Sequence, residues 1–180
     1  MAIRGELPYF RADTNSVQNI ISIVSWGDIE WKFLNYAFRG ATELRTIETT
    51  KAPNLSSIQS LLGLFYGATQ FNADLSQWDT STVTNLWQTF YKAENFNGNI
   101  STWDVSNITI MWGTFWSAKA FNQDLSQWDT SQVKYMSYMF NDASSFAGHD
   151  LSNWDVSSVQ VRSKFDYGWG IGNTSPDFPY

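Results

Sequence analysis

Two kinds of segment alternate along the chain, and they differ in the spacing of their apolar residues. In the first kind, apolar residues recur at offsets 0, 3, 7 and 10, as in Val83, Leu86, Phe90 and Ala93. This spacing is typical of a short helical segment with one buried face. The second kind, as in residues 71–78, is short and extended and ends at turn-forming residues 79–81. The alternation predicts an α/β architecture built from repeats.

The repeat length can be read from two sets of aromatic residues. The dipeptide Trp-Asp recurs in steps of 25, 25 and 26, at Trp78, Trp103, Trp128 and Trp154. A phenylalanine recurs in four steps of 25, at Phe65, Phe90, Phe115, Phe140 and Phe165. One extra residue therefore precedes Trp154. We expect a one-residue bulge that is cancelled again before Phe165.

A short strand and a short helical turn in about 25 residues match the unit of leucine-rich repeats, whose period is 20–29 residues. The sequence thus predicts a single-domain α/β repeat solenoid, leucine-rich-repeat-like, with short parallel strands on one face and short helical turns on the other. It predicts about five coils of 25 residues. Their ranges are 31–57, 58–82, 83–107, 108–132 and 133–158. An N-terminal segment and cap (1–30) and a C-terminal cap (159–180) are expected to enclose them.

Several polar positions hardly vary between repeats, which favours a structural role. Three such positions lie two residues apart in each repeat. The first holds Asn72, Asn97 and Asn122. The second holds Asp74, Asn99, Asp124 and Asp150, and the third holds Ser76, Ser101, Ser126 and Ser152. Stacked side chains of this kind can satisfy backbone groups at turns. A row of carboxylates could instead hold Ca²⁺, although one repeat supplies few ligands. We expect the Trp residues of the Trp-Asp pairs to pack in the core.

Other positions vary on this constant frame and carry large aromatic residues. Offsets 2, 4, 5 and 8 of the predicted helical segment vary between repeats, and the side chains at offsets 1, 4, 5 and 8 are expected to point outward. We expect Trp87 and Tyr91 to stand beside Trp112 and Trp116 in a row across adjacent coils. Exposed rings in a contiguous row indicate an interaction site. The candidate ligand-binding residues are Leu62, Tyr66, Trp87, Gln88, Tyr91, Trp112, Trp116, Tyr135 and Tyr138.

The repeated units also resemble a known family. The pattern Phe-Asn-x-Asp-Leu-Ser-x-Trp-Asp-[Thr/Val]-Ser-x-Val, followed by Met-Phe-x-x-Ala-x-x-Phe-Asn, is similar to the BspA family of bacterial leucine-rich-repeat surface proteins, which carry the DUF285 repeat. The resemblance covers roughly residues 20 to 165. It implies a secreted or surface-anchored adhesion protein, and hence an extracellular or cell-surface location with a leader that is missing here. The chain departs from the family where Trp and Tyr replace its usual Met and small residues.

Composition excludes several classes of function. The net charge is −6 without a basic cluster, which argues against nucleic acid and against anionic membranes as partners. No apolar run is long enough to span a bilayer. There is no cysteine, and the one histidine, His149, is expected in a solvent-facing loop. No catalytic motif, metal site or cofactor site is evident.

The sequence therefore predicts a non-enzymatic recognition or adhesion module that binds a protein ligand, such as a host or bacterial surface protein, through the aromatic row. Two alternatives stay open at this stage. The same rings could stack on sugars in a carbohydrate-binding module, or the repeats could be a structural spacer in a longer surface protein.

Overall fold

The computed structural model describes residues 2–4 and 17–179. Three short strands, β1 (Ala2–Arg4), β2 (Ser22–Ser25) and β3 (Thr46–Ile47), form a parallel sheet in that order. Ile23 lies opposite Ile3 on one side and Ile47 on the other. A 3₁₀ helix, Val17–Asn19, precedes β2. Much of the predicted N-terminal cap (residues 1 and 5–16) lies outside the described residues.

From residue 36 onward, successive repeats are joined by a ladder of backbone hydrogen bonds. The N–H of Gln88 donates to the carbonyl of Trp112 at 2.9 Å, and the N–H groups of Gly63 and Gly113 make the equivalent bonds in the neighbouring repeats. Within residues 86–92 and the equivalent segments of the other repeats, every second residue donates in this way. The same position of adjacent repeats therefore lies side by side, as in the parallel bridges Ser60–Asn85, Asn85–Ile110 and Ile110–Tyr135.

The segments predicted to be helical turns have a different backbone conformation. The described part of the chain contains no α-helix. Gln88 and Lys92 have φ of 54° and 55°, a left-handed conformation that ends a right-handed helix after one turn. Gly63 and Gly67 adopt it at the equivalent positions, where glycine has no steric cost. Because alternate N–H groups bond to the next repeat, helical bonds are not needed.

The predicted inward stripe is confirmed despite this difference. Val83, Leu86, Phe90 and Ala93 are all buried, and so are their counterparts in the next repeat. Turn-type bonds between residues three apart, such as Thr89 N–H to Leu86, give the chain nearly the side-chain arrangement of a helical turn.

The second segment of each repeat, predicted as a strand, pairs largely through asparagine side chains. The Asn72 side-chain oxygen accepts the backbone N–H of Asn97 at 3.0 Å, Asn97 accepts Asn122 N–H at 2.8 Å, and Asn122 accepts Ala147 N–H at 3.0 Å. Side-chain rungs replace backbone rungs, so residues 71–78 form no regular strand. The structural ladder expected for these asparagines is confirmed.

The core consists of phenylalanine columns that run along the repeats. The rings of Phe38, Phe65, Phe90, Phe115 and Phe140 stack at 5.5–5.7 Å with interplanar angles of 3–12°. A second column holds Phe71, Phe96, Phe121 and Phe146 at 5.8–5.9 Å. The Trp residues of the Trp-Asp pairs are buried beside them, as expected.

We expected the extra residue before Trp154 to be compensated by a shorter stretch before Phe165, and this prediction is wrong. Tyr135 bridges Val161, a step of 26, and Phe140 N–H bonds to Phe165 where Phe115 N–H bonds to Met139. Phe165 thus occupies the position equivalent to Met139, which is one residue before the position of Phe140 in the phenylalanine column. Its ring meets Phe140 edge-on at 86° and ends the stack. The insertion between Phe146 and Asp150 shifts the whole last repeat because the hydrogen-bond ladder tolerates no local slip.

Residues 160–174 continue the ladder for one further row, in which the N–H groups of Asp142, Gly148 and Leu151 donate to the carbonyls of Tyr167, Ile171 and Thr174. Thr174 bridges Asp150, and the Phe178 ring packs on Phe165 at 5.1 Å. The predicted C-terminal cap therefore begins with ladder residues. The assignment of the whole chain as a leucine-rich-repeat solenoid of five coils stays a prediction.

Candidate binding surface

All nine candidate binding residues lie in the turn segments and reach solvent to some degree. Trp87 and Tyr135 are the most open, at 41% and 39% exposed, and the other seven are half-buried. Their backbones are held by the ladder, since Trp87 and Trp112 accept hydrogen bonds from the preceding repeat. The buried neighbours Leu86 and Phe90 fix the segment from the inner side. The outward side chains are therefore carried on an ordered frame.

Six of the nine form a connected set of rings, which we call the aromatic ridge: Tyr66, Trp87, Tyr91, Trp112, Trp116 and Tyr138. One line follows the repeat axis, with centroid distances of 4.6 Å from Tyr66 to Tyr91, 5.1 Å from Tyr91 to Trp116 and 4.6 Å from Trp116 to Tyr138. The predicted adjacency of Tyr91 and Trp116 is confirmed. It follows from the ladder, which sets equivalent residues about 5 Å apart.

A second line of rings joins the first from the side. Trp87 lies 5.5 Å from Trp112, as predicted, and Trp112 contacts both Trp116 at 5.7 Å and Tyr138 at 5.2 Å. Trp112 is therefore the centre of the ridge. Most of these rings are tilted or edge-on, and Trp116 and Tyr138 alone in this set are nearly parallel, at 13°.

Leu62, Gln88 and Tyr135 lie on the same segments and make no ring contact with the ridge within the described residues. Gln88 contributes a left-handed backbone position, and Tyr135 bridges both adjacent repeats. Sequence spacing placed them correctly on the turn segments but did not resolve their contacts.

The structure adds residues that sequence reasoning missed. The Arg39 guanidinium lies 4.7 Å from the centre of the Tyr66 ring and 5.3 Å from that of Tyr36. At the other end, the Lys164 ammonium lies 5.8 Å from Tyr138 and 5.3 Å from Tyr167. The signal available for Arg39 was the match of Phe38-Arg39-Gly40-Ala41 with Phe65-Tyr66-Gly67-Ala68, which places Arg39 at the position of Tyr66. Lys164 is aligned with Tyr138 only after the 26-residue step is known.

Two cavities lie away from the ridge. One of about 370 Å³ is lined by Trp26, Lys51 and Trp78 near β3, and one of about 750 Å³ lies between Arg162 and Phe178 in the last row. None of the ridge residues lines either of them. The ridge therefore takes no part in these two cavities.

Several carboxylates accept hydrogen bonds within turns. Hydrogen bonds from Ser81 lower the pKa of Asp79, and bonds from Ser131 and Ser157 lower the pKa of Asp129 and Asp155 in the same way. Each holds the N–H of the residue two positions ahead. Among the described residues, no group of His, Asp and Glu could hold a metal ion.

His149 is half-buried rather than fully solvent-facing. Its ring stacks on Phe146 at 4.5 Å, and its Nε2 lies 2.7 Å from the side-chain oxygen of Asn122. It therefore joins the end of the asparagine ladder. No helix in the described part of the chain is long and apolar enough to cross a bilayer.

Comparison with known proteins places the chain in a family. Neither curated proteins nor solved structures gave a match. The profile of a family described as "Mycoplasma protein of unknown function, DUF285" matches residues 32–126 and 98–167. These two ranges cover most of the chain and all nine candidate residues. The chain therefore belongs to the DUF285 family.

Proposed function

We propose that this protein is a non-enzymatic recognition module that binds a protein ligand through the aromatic ridge. The observation that carries the proposal is the contact network of six partly exposed rings on a rigid, repeated frame. Trp and Tyr are enriched at binding hot spots because they offer large contact area for little rotamer entropy. The residue types at the ridge positions vary between repeats while the buried residues stay constant, and this pattern is typical of a recognition surface.

The proposal extends to setting and architecture. The resemblance to BspA-type surface proteins supports an extracellular or cell-surface role in adhesion, with a host or bacterial surface protein as ligand. The 25-residue period and parallel bridging support a variant of the leucine-rich-repeat solenoid in which left-handed turns replace helices.

Glycan binding is the second candidate, and one observation favours it. Trp87 is the most exposed ridge ring, and the half-buried side chains of Asn85 and Gln88 flank it in sequence. An indole face with neighbouring amides can stack on a sugar ring and bond its hydroxyls.

Replacing Trp87, Trp112 and Trp116 together by alanine tests the proposal. We expect labelled protein to lose at least about tenfold in binding to bacterial or host cells, since hot-spot rings contribute 2 kcal/mol or more each. The melting temperature should change little. Phe33→Ala, which removes an exposed ring outside the ridge, is the matched control.

The outcomes separate the candidates. Binding that is lost after protease treatment of the target cells supports a protein ligand, and binding that is lost after glycosidase treatment supports a glycan. Unchanged binding by the triple variant would contradict both and leave the spacer role.

A further inference from the structure

Some basic residues of this acidic protein are paired with carboxylates, and others lie over aromatic rings. Four are paired with carboxylates: Lys32 with Glu30 at 2.8 Å, Arg45 with Glu43 at 3.7 Å, Lys51 with Asp28, and Lys119 with Glu94 at 3.1 Å. Arg39, Lys92 and Lys164 are exposed and, within the described residues, have no carboxylate within 4 Å. Each lies over a ring of the ridge or its ends instead.

Acidic residues are sparse along the ridge. The turn segments 58–68, 83–93 and 108–118 contain no Asp or Glu, 133–143 contains Asp142 alone, and the last row, 160–168, contains Asp166 together with Arg162 and Lys164. The repeated Asp positions lie in the other half of each repeat, where they cap turns. A chain of net charge −6 therefore presents a locally basic aromatic surface.

The cations lie at defined places along the ridge. Arg39 precedes Tyr66, Lys92 is 5.3 Å from the Tyr91 ring in the middle, and Lys164 follows Tyr138. Five repeat steps separate the rows of Arg39 and Lys164. At about 4.8 Å a step, these two rows are about 24 Å apart, the length of roughly seven residues of extended chain.

We propose that the ridge takes an extended acidic peptide segment, with carboxylates near both ends and apolar side chains between them. This inference rests on the proposed function and names the chemistry of its ligand. The carboxylates meet Arg39 and Lys164, and the apolar side chains pack among the tilted rings. Complementary charge fixes the register of such a segment and raises its association rate.

Ring geometry favours a peptide over an acidic glycan. Sugars stack on open ring faces, but Trp116 and Tyr138 cover each other's faces at 4.6 Å, and Tyr91 meets Trp116 edge-on at 84°. The clefts between tilted rings suit branched or aromatic side chains.

The proposal is tested by peptide display: a library of random dodecapeptides is selected for binding to the immobilised wild-type protein. Enriched sequences should carry Asp or Glu at two positions about seven residues apart, the span set by the 3.3 Å rise of extended chain. Enrichment of sequences without acidic residues, or no enrichment at all, would overturn it. So would binding of heparin in place of any peptide, because that result assigns the site to acidic glycans.

Charge reversal supplies the second arm, with the selected peptide as probe. Arg39→Glu/Lys164→Glu should weaken binding at least about tenfold at low salt and by less at 0.5 M salt, since the attraction is screened. Repeating the selection on this variant should enrich Lys and Arg. The double variant Arg45→Glu/Lys119→Glu makes the same change in net charge off the ridge and should bind as the wild type does. An equal loss in both variants would refute the ridge assignment.

The failure of this inference can be told apart from failure of the proposed function. If Trp112→Ala abolishes peptide binding and charge reversal does not alter it, the ridge binds proteins without selecting acidic ones. If charge reversal alone matters, the rings are not the recognition surface and the proposed function fails.

Discussion

The protein contains two sets of rings that repeat along the same axis, and they behave differently. Inside, the rings of the column that contains Phe90 are nearly parallel, with interplanar angles of 3–12° between the stacked neighbours from Phe38 to Phe140. These residues are 0–1% exposed. The ridge outside has similar centroid distances, but the angles along its main line range from 13° to 84°. The interior accepts one residue type in one orientation because it is close-packed. The outer surface has no such constraint, so its residues can vary without changing the frame.

This contrast separates stability from recognition, and adjacent residues allow it to be tested. Phe90→Ala should lower the free energy of unfolding by about 3–5 kcal/mol, since it empties a sealed column. Tyr91→Ala, one residue away, should cost about 1 kcal/mol or less, because ring pairs at a surface are worth little more. Urea denaturation of both variants measures the difference. Comparable losses would show that the ridge is part of the core.

The asparagine ladder should give a smaller effect. Asn97→Ala removes the acceptor of Asn122 N–H and of the Gln123 amide. The site is exposed, so water replaces part of the loss, and we expect a cost of about 1 kcal/mol in the same denaturation experiment. Asn95→Ala is the matched control, since its amide makes one long contact of 3.4 Å. Equal effects of the two variants would argue against a ladder.

The turn carboxylates should give the smallest effect, visible as a dependence on pH. Hydrogen bonds from serine lower the pKa of Asp79, Asp129 and Asp155 in the folded state. Their contribution is therefore complete above the unfolded pKa and is lost as pH falls through the lower folded value. The melting temperature should decline below about pH 4, where unfolded Asp titrates.

Asparagine at these positions gives the control. Asn99, which stands at the repeat position of Asp74 and Asp124, already accepts the N–H and hydroxyl of Ser101 at 3.0 and 2.8 Å, the same kind of turn bond that Asp79 accepts from Ser81. A variant with Asp79, Asp129 and Asp155 all changed to Asn should fold and show a flatter acid profile. An identical decline in melting temperature would assign the acid sensitivity to other groups.

The predictable part of the fold was the part that repeats. The 25-residue period gave the buried stripe, including Phe90 and Ala93, and the adjacency of Trp87 with Trp112. The prediction of helical turns was wrong because a chain of short turns, each ended by a residue with left-handed φ four positions after the last, buries the same offsets 0, 3, 7 and 10. Gly63 and Gly67, spaced by four, were the available signal for those turns.

The ends of the ridge were harder to predict. Arg39 and Lys164 join it through contacts between repeats of unequal length, since Phe38 and Phe65 are 27 residues apart in the column and one residue is inserted before Asp150. Counting along the chain cannot show whether an inserted residue is absorbed locally or shifts everything after it. Phe165 was misplaced for this reason.

The sequence by itself determined the repeat, its buried residues and the membership of Trp87, Tyr91, Trp112 and Trp116 in one surface, because stacking of equal units brings equal positions together. The tertiary structure alone decided the backbone conformation, the tilt of each ring and the cations at the two ends. Those features depend on which N–H groups bond across repeats rather than along the chain, and that choice is made only when the repeats pack.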